Sequence, residues 1–170
     1  LDHTMDVLES AVRLAEMEGR PEQNIMLLKT ACVFHDSGML VTYRGHEEAS
    51  IDICQQTLPQ FDYTEEEIHA ICRMIRTTKL PQCAVDIDDK ILCDADLDYL
   101  GRADFFMIAH RLKYEWDILE IFPTSLQQWY QIQKDFLVNH QYFTKSALKL
   151  RQETKLKNLE QIEIICNHEK

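Results

Sequence analysis

The chain has 170 residues, 45% of them hydrophobic and 28% charged, with a formal net charge of −11 at pH 7. This length is sufficient for one domain with a substantial core. The acidic balance argues against a nucleic-acid partner, which requires a basic surface. No run approaches the roughly 20 apolar residues of a membrane span. The first 20 residues also lack the order of a signal peptide, so we expect no membrane partner.

Apolar residues recur at helical spacing along most of the chain, and no alternating pattern of useful length predicts a strand. The four glycines and four prolines fall between the helical segments. A fourth helix opens at Thr64, where Thr64-Glu-Glu-Glu67 fits a capping box. The other predicted helices cover about residues 2–18, 22–35, 46–57, 88–100, 103–119, 125–142 and 145–165. The sequence therefore predicts an all-α single domain of about seven to eight helices, with a loop over residues 36–45.

Within these helices, the apolar stripes predict which side chains are buried. In the first helix the stripe comprises Val7, Ala11, Leu14 and Ala15, and in the fourth Ile68, Ile71, Cys72 and Ile75. The last helix is laced with Lys and Glu, which is typical of a solvated face. Trp116 and Trp129 stand among Ile and Leu, so we expect them in the core or an interface rather than on a base-stacking platform.

The six cysteines include no C-x-x-C pair. Most of them stand beside Ile, Leu or Val at helical spacing, where a free cysteine behaves as a small hydrophobic residue. We therefore predict reduced core thiols and a cytoplasmic protein. Because the chain begins at Leu1, two residues before a candidate ligand, either upstream residues were trimmed or the chain is part of a longer protein. We favour the second alternative.

Four polar residues from three separate helices form the most informative pattern: His3, the pair His35-Asp36, and Asp96. Each falls where a helix would turn it inward, and buried carboxylates and imidazoles must be paired or bind a metal. Taken singly, the His35-Asp36 pair could cap a helix in a surface loop, and His3 could be an exposed histidine. Together they predict a divalent-metal site.

Asp96 has to be distinguished from its neighbour Asp94. Residues three and four positions away share a helix face. For Asp96 these neighbours are apolar: Leu92, Cys93, Tyr99 and Leu100. For Asp94 they are mixed: Lys90, Ile91, Leu97 and Asp98. We therefore predict Asp96 as the ligand and expect Asp94 to support the site or lie at the surface.

Several short motifs strengthen this pattern. They are His-Thr-Met-Asp-Val at 3–7, Phe-His-Asp-Ser-Gly at 34–38, Gly-His-Glu-Glu-Ala-Ser at 45–50, Ile-Arg-Thr-Thr-Lys at 75–79 and Asp-Ala-Asp-Leu-Asp-Tyr-Leu-Gly at 94–101. With the order His…His-Asp…Asp, the chain resembles the HD superfamily of metal-dependent phosphohydrolases. The last two motifs resemble a predicted branch in which some relatives are joined to nucleotide-cyclase domains. The resemblance implies a helical HD-type domain over residues 1–170, lacking its N-terminal segment, with His3, His35, Asp36 and Asp96 as metal ligands.

The chain departs from the binuclear branches of that superfamily, which have two further histidines before the last Asp. His46 could be the first of these, but Thr77 or Thr78 stands where the second would be. His69 lies about two turns earlier on the same helix and is expected to be exposed. We therefore expect one divalent ion and no second metal. The ion is Mn, Co, Ni, Fe, Zn or Mg, and two imidazoles favour a transition metal over Mg.

The resemblance also suggests chemical roles for individual residues. A bound ion would activate water and polarise a phosphoryl oxygen. Asp36 could orient that water, and His46 could protonate the leaving group. Glu47 is a weaker candidate for the second role, because a carboxylate beside Glu48 is usually at the surface. Tyr43, in the glycine-bounded loop, could close over a base or sugar with its neighbour Arg44, or the loop could simply be mobile.

A phosphate group also needs cationic partners. The candidates are Lys79, then Arg76, then Arg102. Alternatively, these three side chains are solvated cations near the C-terminal ends of helices, where positive charge stabilises the helix.

The sequence thus predicts hydrolysis of a small-molecule phosphate ester, a nucleotide or related phosphometabolite. Two alternatives remain open: a cyclic-nucleotide phosphodiesterase, and a non-catalytic regulatory or interaction domain with a structural metal. The late amphipathic helices would also allow a homodimer.

Overall fold

The computed structural model of the protein describes residues 2–168, and the side chains of residues 2–167. The described residues form eight α-helices: α1 (Asp2–Met17), α2 (Glu22–Phe34), α3 (His46–Thr57), α4 (Glu65–Thr78), α5 (Ile87–Asp96), α6 (Phe105–Ile118), α7 (Leu126–Asn139) and α8 (Lys145–His168). Three one-turn 3-10 helices cover Ser37–Leu40, Leu58–Phe61 and Asp98–Gly101. The predicted all-α fold of seven to eight helices is confirmed.

The chain divides into two compact units. The first comprises the residues up to Leu97 together with Phe143–Ser146, and the second comprises Asp98–Tyr142 and the residues from Ala147 onward. The expectation of one domain over residues 1–170 stays a prediction beside this division. Among residues 2–168, none of the helices combines the length and the apolar character that crossing a bilayer requires.

The core of the first unit brings together the helices that carry the candidate ligands. Helix α1 packs against both α2 and α5, and α4 packs against α2, α3 and α5. The two predicted stripes are buried, and Leu14, Ile71 and Ile75 have no exposed surface. Because α1 lies against α2 and α5 at once, the first turn of α1 comes close to the C-terminal ends of the other two helices.

Local side-chain hydrogen bonds set the starts of several helices. At α4 the capping box is formed as predicted: Thr64 Oγ1 accepts from the backbone N–H of Glu67, and Glu67 Oε2 accepts from that of Thr64. At the start of α7, Ser125 forms the same arrangement with Gln128. Each cap satisfies amide groups that a helix start leaves without partners.

Two predicted boundaries differ from the structure. The loop predicted over residues 36–45 contains a turn of 3-10 helix, and the helix predicted over residues 88–100 ends at Asp96. Beyond that point Asp98 is buried and accepts two hydrogen bonds from Arg151, at 2.7 and 2.8 Å. A Cβ on Gly101 would lie 2.5 Å from that of Arg151. The chain therefore follows its contacts with α8 rather than continuing α5.

In the second unit, one lysine contradicts the prediction of a solvated last helix. Lys155 is only 5% exposed. Its ammonium group donates to the backbone carbonyl of His140 and lies 5.7 Å from the centre of the Tyr142 ring.

The two tryptophans of the second unit contact each other, as expected of core residues. Trp129 is fully buried, and its ring meets that of Trp116 edge to face with the ring centres 5.3 Å apart.

All six cysteines are free. Four are buried, in agreement with the prediction of core thiols: Cys32, Cys54, Cys72 and Cys93. Cys83 is exposed and Cys166 is partly exposed, so the prediction holds for most of the cysteines, as stated.

Candidate metal centre

The four predicted ligands meet in the first unit. His3 lies in the first turn of α1, His35 caps the C-terminal end of α2, Asp36 follows it, and Asp96 is the last residue of α5. Each side chain therefore comes from a helix end, where the backbone leaves its regular path. The packing of α1 against α2 and α5 brings these ends together.

His3, His35 and Asp96 each offer a donor atom within 4.8 Å of the other two, and Asp36 approaches this group through both imidazoles. Nε2 of His3 lies 3.2 Å from Oδ1 of Asp96 and 3.4 Å from Nε2 of His35. Oδ2 of Asp36 lies 3.5 Å from Nε2 of His3 and 3.4 Å from Nε2 of His35. Ligands about 2.1 Å from a metal stand roughly 3.0 to 3.4 Å apart in octahedral or tetrahedral arrangements. The residues present therefore fit a divalent ion.

The orientation of His35 also fits a metal ligand. Its Nδ1 lies 2.7 Å from the carbonyl oxygen of Cys32 and donates a hydrogen bond to it. In the neutral ring Nε2 then carries a lone pair, which faces Nε2 of His3 and carboxylate oxygens of Asp36 and Asp96. Such electron-rich atoms repel one another unless a proton or a cation lies among them. A carbonyl that fixes the second nitrogen is the usual support of a metal-binding histidine.

The electrostatics of the cluster favour positive charge at its centre. Burial lowers the pKa of His35, but the hydrogen bond and charge of Asp96, with the charge of Asp36, raise it to about 9. Burial raises the pKa of Asp96, but hydrogen bonds from His3 and His35 outweigh it and hold that pKa well below its usual range. The carboxylate of Asp96 therefore stays ionised among the imidazoles.

The centre is closed on one side and open on the other. The side chain of His35 is 1% exposed, whereas that of His3 is 47% exposed. The expectation that all four residues face inward is therefore wrong for His3. Among the residues that the structure describes, its ring in the first turn of α1 is thus only half-covered. Solvent or a ligand can approach the centre at His3.

A second group of side chains meets the other oxygen of Asp36. Nε2 of His46 lies 3.3 Å from Oδ1 of Asp36 and 3.9 Å from Oε1 of Glu47. Nδ1 of His46 donates to the carbonyl oxygen of Tyr43 at 3.0 Å. The hydrogen bond with Asp36 raises the pKa of His46, against the effect of burial. Asp36 is thus shared between the two groups.

Glu47 is more buried than its place beside Glu48 predicts. It was expected at the surface, but it is only 8% exposed. Its place in the first turn of α3, directly after His46, turns it toward that imidazole. The adjacency of Glu47 and His46 could have indicated this position, because two neighbouring polar side chains in one helical turn can approach each other.

Asp94 is also more buried than its neighbours in α5 predict. It is fully buried, which contradicts the surface alternative, while its support of the metal site stays a prediction. Its carboxylate accepts hydrogen bonds from the backbone N–H groups of Phe143 and Thr144 and from the Thr144 hydroxyl. Burial raises the pKa of Asp94 to about 6, although these three hydrogen bonds lower it. The neighbours of Asp94 within α5 gave no sign of partners 49 and 50 residues away.

The three predicted phosphate-binding cations lie in different surroundings. Arg76 is exposed and forms a bidentate pair with Glu48, at 3.0 and 3.1 Å. Lys79 is exposed at the C-terminal end of α4, and Arg76 and Lys79 both lower the pKa of Glu48. Arg102 belongs to the second unit and binds Asp104. The role of each in phosphate binding stays a prediction.

The residues of α4 that bear on a second metal lie in ordinary helical surroundings. Thr77 and Thr78 are buried, and each hydroxyl donates to a carbonyl of its own helix. His69 is exposed, as expected.

Comparisons with known proteins agree with the helical fold and with the predicted family. A family model described as HD domain matches residues 1–98, which include all four predicted ligands. A crystal structure described as a predicted HD superfamily hydrolase, from an uncultured Thermotogales bacterium, aligns with a TM-score of 0.65 and 17% sequence identity. The alignment covers 100% of this chain and 81% of that one, and at this identity it shows the fold alone. No curated protein matches the sequence significantly.

Proposed function

The chain belongs to the HD domain family, and from this membership we propose that it is a metal-dependent phosphohydrolase. The proposed substrate is a small phosphate ester, a nucleotide or a related phosphometabolite. One observation supports the proposal most directly. Nε2 of His3 and Nε2 of His35 each lie 3.2 to 3.5 Å from a carboxylate oxygen of both Asp36 and Asp96.

These four residues are the proposed ligands of one divalent ion. When bound there, the ion lowers the pKa of a water molecule and neutralises charge on the phosphoryl oxygens. Two imidazoles and two carboxylates favour a transition metal such as Mn, Co, Ni, Fe or Zn over Mg, which prefers oxygen ligands. A second metal is not part of the proposal.

Asp36 and His46 are the proposed catalytic residues. Oδ2 of Asp36 faces the imidazoles of His3 and His35, while Oδ1 faces Nε2 of His46 at 3.3 Å. This carboxylate can therefore orient a nucleophilic water beside the centre. His46 is held by its hydrogen bond to the Tyr43 carbonyl, so Nε2 is the atom that can hold a proton for the leaving group.

The exposure of the centre supports an enzyme over a structural metal site. Structural ions are enclosed by protein ligands, whereas catalytic ions keep an open position. His3 is half-exposed, so a substrate can reach the donor atoms from that side. For the substrate phosphate, Lys79 is the first candidate, since the guanidinium of Arg76 already has Glu48 as its partner.

The proposal is tested by a hydrolysis screen on metal-stripped protein. The panel contains nucleoside mono-, di- and triphosphates, cyclic nucleotides and an aryl phosphate, each with Mn²⁺, Co²⁺, Ni²⁺, Mg²⁺ or Zn²⁺. Asp96→Ala removes a proposed ligand, and Asp52→Ala removes an exposed carboxylate of α3 as a matched control. We expect metal-dependent turnover that only Asp96→Ala abolishes. Stoichiometric metal binding without turnover would instead identify a non-catalytic domain.

A further inference from the structure

The side chain of Ser50 joins the backbone of His35 to that of Gly38, the two ends of the turn that contains Asp36. It lies in the second turn of α3 and has no exposed surface. Its hydroxyl donates a hydrogen bond to the carbonyl oxygen of His35 at 2.7 Å. Oγ of Ser50 in turn accepts a hydrogen bond from the backbone N–H of Gly38 at 2.8 Å. One buried side chain therefore holds the backbone on both sides of Asp36.

The carbonyl of His35 depends on this serine because the regular helix pattern stops there. Helix α2 ends at Phe34 with His35 as its cap, and the last carbonyls of a helix have no partner within it. The N–H of Met39 would continue the pattern to His35, but it donates to the carbonyl of Asp36 at 3.0 Å instead. The Ser50 hydroxyl takes the place of that missing donor.

Gly38 brings the turn into direct contact with α3. A Cβ at this position would lie 2.0 Å from the carbonyl oxygen of His46 and 2.6 Å from the backbone nitrogen of Ser50. The backbone of the turn therefore lies against the first turn of α3, which begins with His46. The contact that seats Ser50 thus also governs the distance between Asp36 and His46.

From this geometry we infer that Ser50 is a positioning residue of the metal centre. Its hydroxyl fixes the backbone of His35 and Asp36, so that Nε2 of His35 and Oδ2 of Asp36 stay 3.4 Å apart while Oδ1 of Asp36 stays near His46. Ser50 acts through these residues, since its hydroxyl bonds to their backbone turn. The inference rests on the proposed function, because it requires His35 and Asp36 to bind an ion.

The test compares Ser50→Ala with the wild type as full-length, metal-stripped proteins titrated with Co²⁺. Calorimetry measures the affinity, and visible absorption reports the arrangement of ligands around the ion. We expect Ser50→Ala to bind Co²⁺ about 10- to 100-fold more weakly, the range found when a supporting residue of a metal site is removed. We also expect its spectrum to change.

Ser10→Ala is the matched control. Ser10 is another buried serine of the first unit, and its hydroxyl accepts a hydrogen bond from Arg13 on its own helix. A purely structural role predicts lower melting temperatures for both variants with unchanged Co²⁺ affinity and spectrum. A change confined to Ser50→Ala supports the positioning role.

Ser50→Cys keeps a side chain of similar shape with a weaker hydrogen-bonding group, and we expect its Co²⁺ affinity to fall between those of Ser50→Ala and the wild type. It also replaces Ser50→Ala if that variant does not fold. If Ser50→Ala, or Ser50→Cys in its place, binds Co²⁺ with the affinity and spectrum of the wild type, the positioning role is overturned but the proposed function is not. A wild type that binds no Co²⁺, Mn²⁺ or Zn²⁺ would overturn the proposed function as well. If neither variant folds, Ser50 is a folding residue and the positioning role is rejected.

Discussion

Both histidines that face Asp36 from the protein interior are oriented by the same kind of hydrogen bond. Nδ1 of His35 donates to the carbonyl of Cys32, and Nδ1 of His46 donates to the carbonyl of Tyr43. In each case the acceptor lies three residues earlier in the chain. Because a carbonyl can only accept, each ring keeps its proton on Nδ1 and directs Nε2 toward the two oxygens of Asp36.

Asp94 and Asp96 lie two residues apart but should respond differently to the same change. Asp96→Asn removes a proposed ligand charge, so we expect Co²⁺ affinity to fall by more than about 100-fold, beyond the range for supporting residues. Asp94→Asn leaves the ligands in place but cannot accept all three hydrogen bonds of the buried carboxylate. We expect it to lower the free energy of unfolding by about 1–3 kcal/mol.

Isothermal titration with Co²⁺ and urea unfolding of the metal-stripped variants check this pair. The assignment of roles would be contradicted if Asp94→Asn lost the metal while Asp96→Asn retained it.

His140 makes the stability of the protein depend on pH. Burial and the nearby Lys155 lower the pKa of this histidine to about 4, below the roughly 6.5 of an unfolded chain. The unfolded state therefore takes up the proton first as the pH falls. The stability that neutral His140 provides is complete above about pH 6.5 and is lost as the pH falls toward 4.

Urea unfolding of metal-stripped protein at pH 7 and pH 5 measures this effect. After allowance for partial exposure, we expect the wild type to lose about 1 kcal/mol more than His140→Phe over this interval. Equal losses in the two proteins would show that another group is responsible.

At the scale of elements, the meeting of helix ends is the organising feature of the centre. Helix α1 supplies His3, His35 caps the C-terminal end of α2, and α5 ends at Asp96. The turn after α2 is fixed by its close contact with α3 at Gly38. A site built in this way depends on backbone contacts between elements as much as on the ligands themselves.

Two glycines beside the centre test that dependence. Gly38→Ala would place a Cβ against the carbonyl oxygen of His46, so we expect a loss of about 2–3 kcal/mol in stability and weaker metal binding. Gly45 precedes α3 with a φ of 74° but has open space around it. Gly45→Ala should therefore cost only about 1 kcal/mol of backbone strain. Thermal unfolding and Co²⁺ titration of both variants distinguish crowding from strain, and equal effects would contradict the argument.

The sequence predicted a helix boundary correctly where neighbouring residues set it, and missed the boundary where contacts with distant residues set it. The bounds of α3, from His46 to Thr57, and the capping box at Thr64 follow from neighbouring residues, and both predictions are confirmed. The end of α5 at Asp96 was missed, because it depends on contacts of Asp98 with Arg151, 53 residues later.

The same distinction between local and long-range causes holds for the residues of the metal centre. Periodicity favoured Asp96 over Asp94 as the residue that meets the histidines. The partners of Asp94 and the hydroxyl contacts of Ser50 could not be predicted, because they join segments distant in sequence. Exposure at His3 was also missed, because helical periodicity gives the face of a residue but not whether another element covers it.

At the scale of the whole molecule, the metal centre lies entirely within the first unit. Its four ligands also fall within residues 1–98, the part of the chain that the HD domain model matches. A bound ion would connect α1, α2 and α5, which carry these residues. Because the unfolded chain does not hold the ligands together, binding should stabilise the folded state.

We therefore expect Co²⁺ at about 100 times its dissociation constant to add about 2.7 kcal/mol of stability. For a protein of this size, that corresponds to a rise of roughly 5–10 °C in melting temperature. Differential scanning calorimetry of stripped protein, with and without Co²⁺, measures the rise, and a chelator should reverse it. Ca²⁺, which prefers a shell of oxygen ligands, should have little effect. An equal rise in Asp96→Asn would show that the ion binds elsewhere.

The return of Phe143–Ser146 to the first unit affects how the protein can be shortened. This segment donates to Asp94, and the N–H of Ser146 donates to Glu18 at 2.9 Å. A fragment ending at residue 98 would contain every proposed ligand but would leave Asp94, two residues before Asp96, as a buried carboxylate without its donors. The smallest autonomous form of the metal centre is therefore discontinuous in sequence. It has to include a short stretch from beyond the family match, supplied either by the intact chain or by a designed connection.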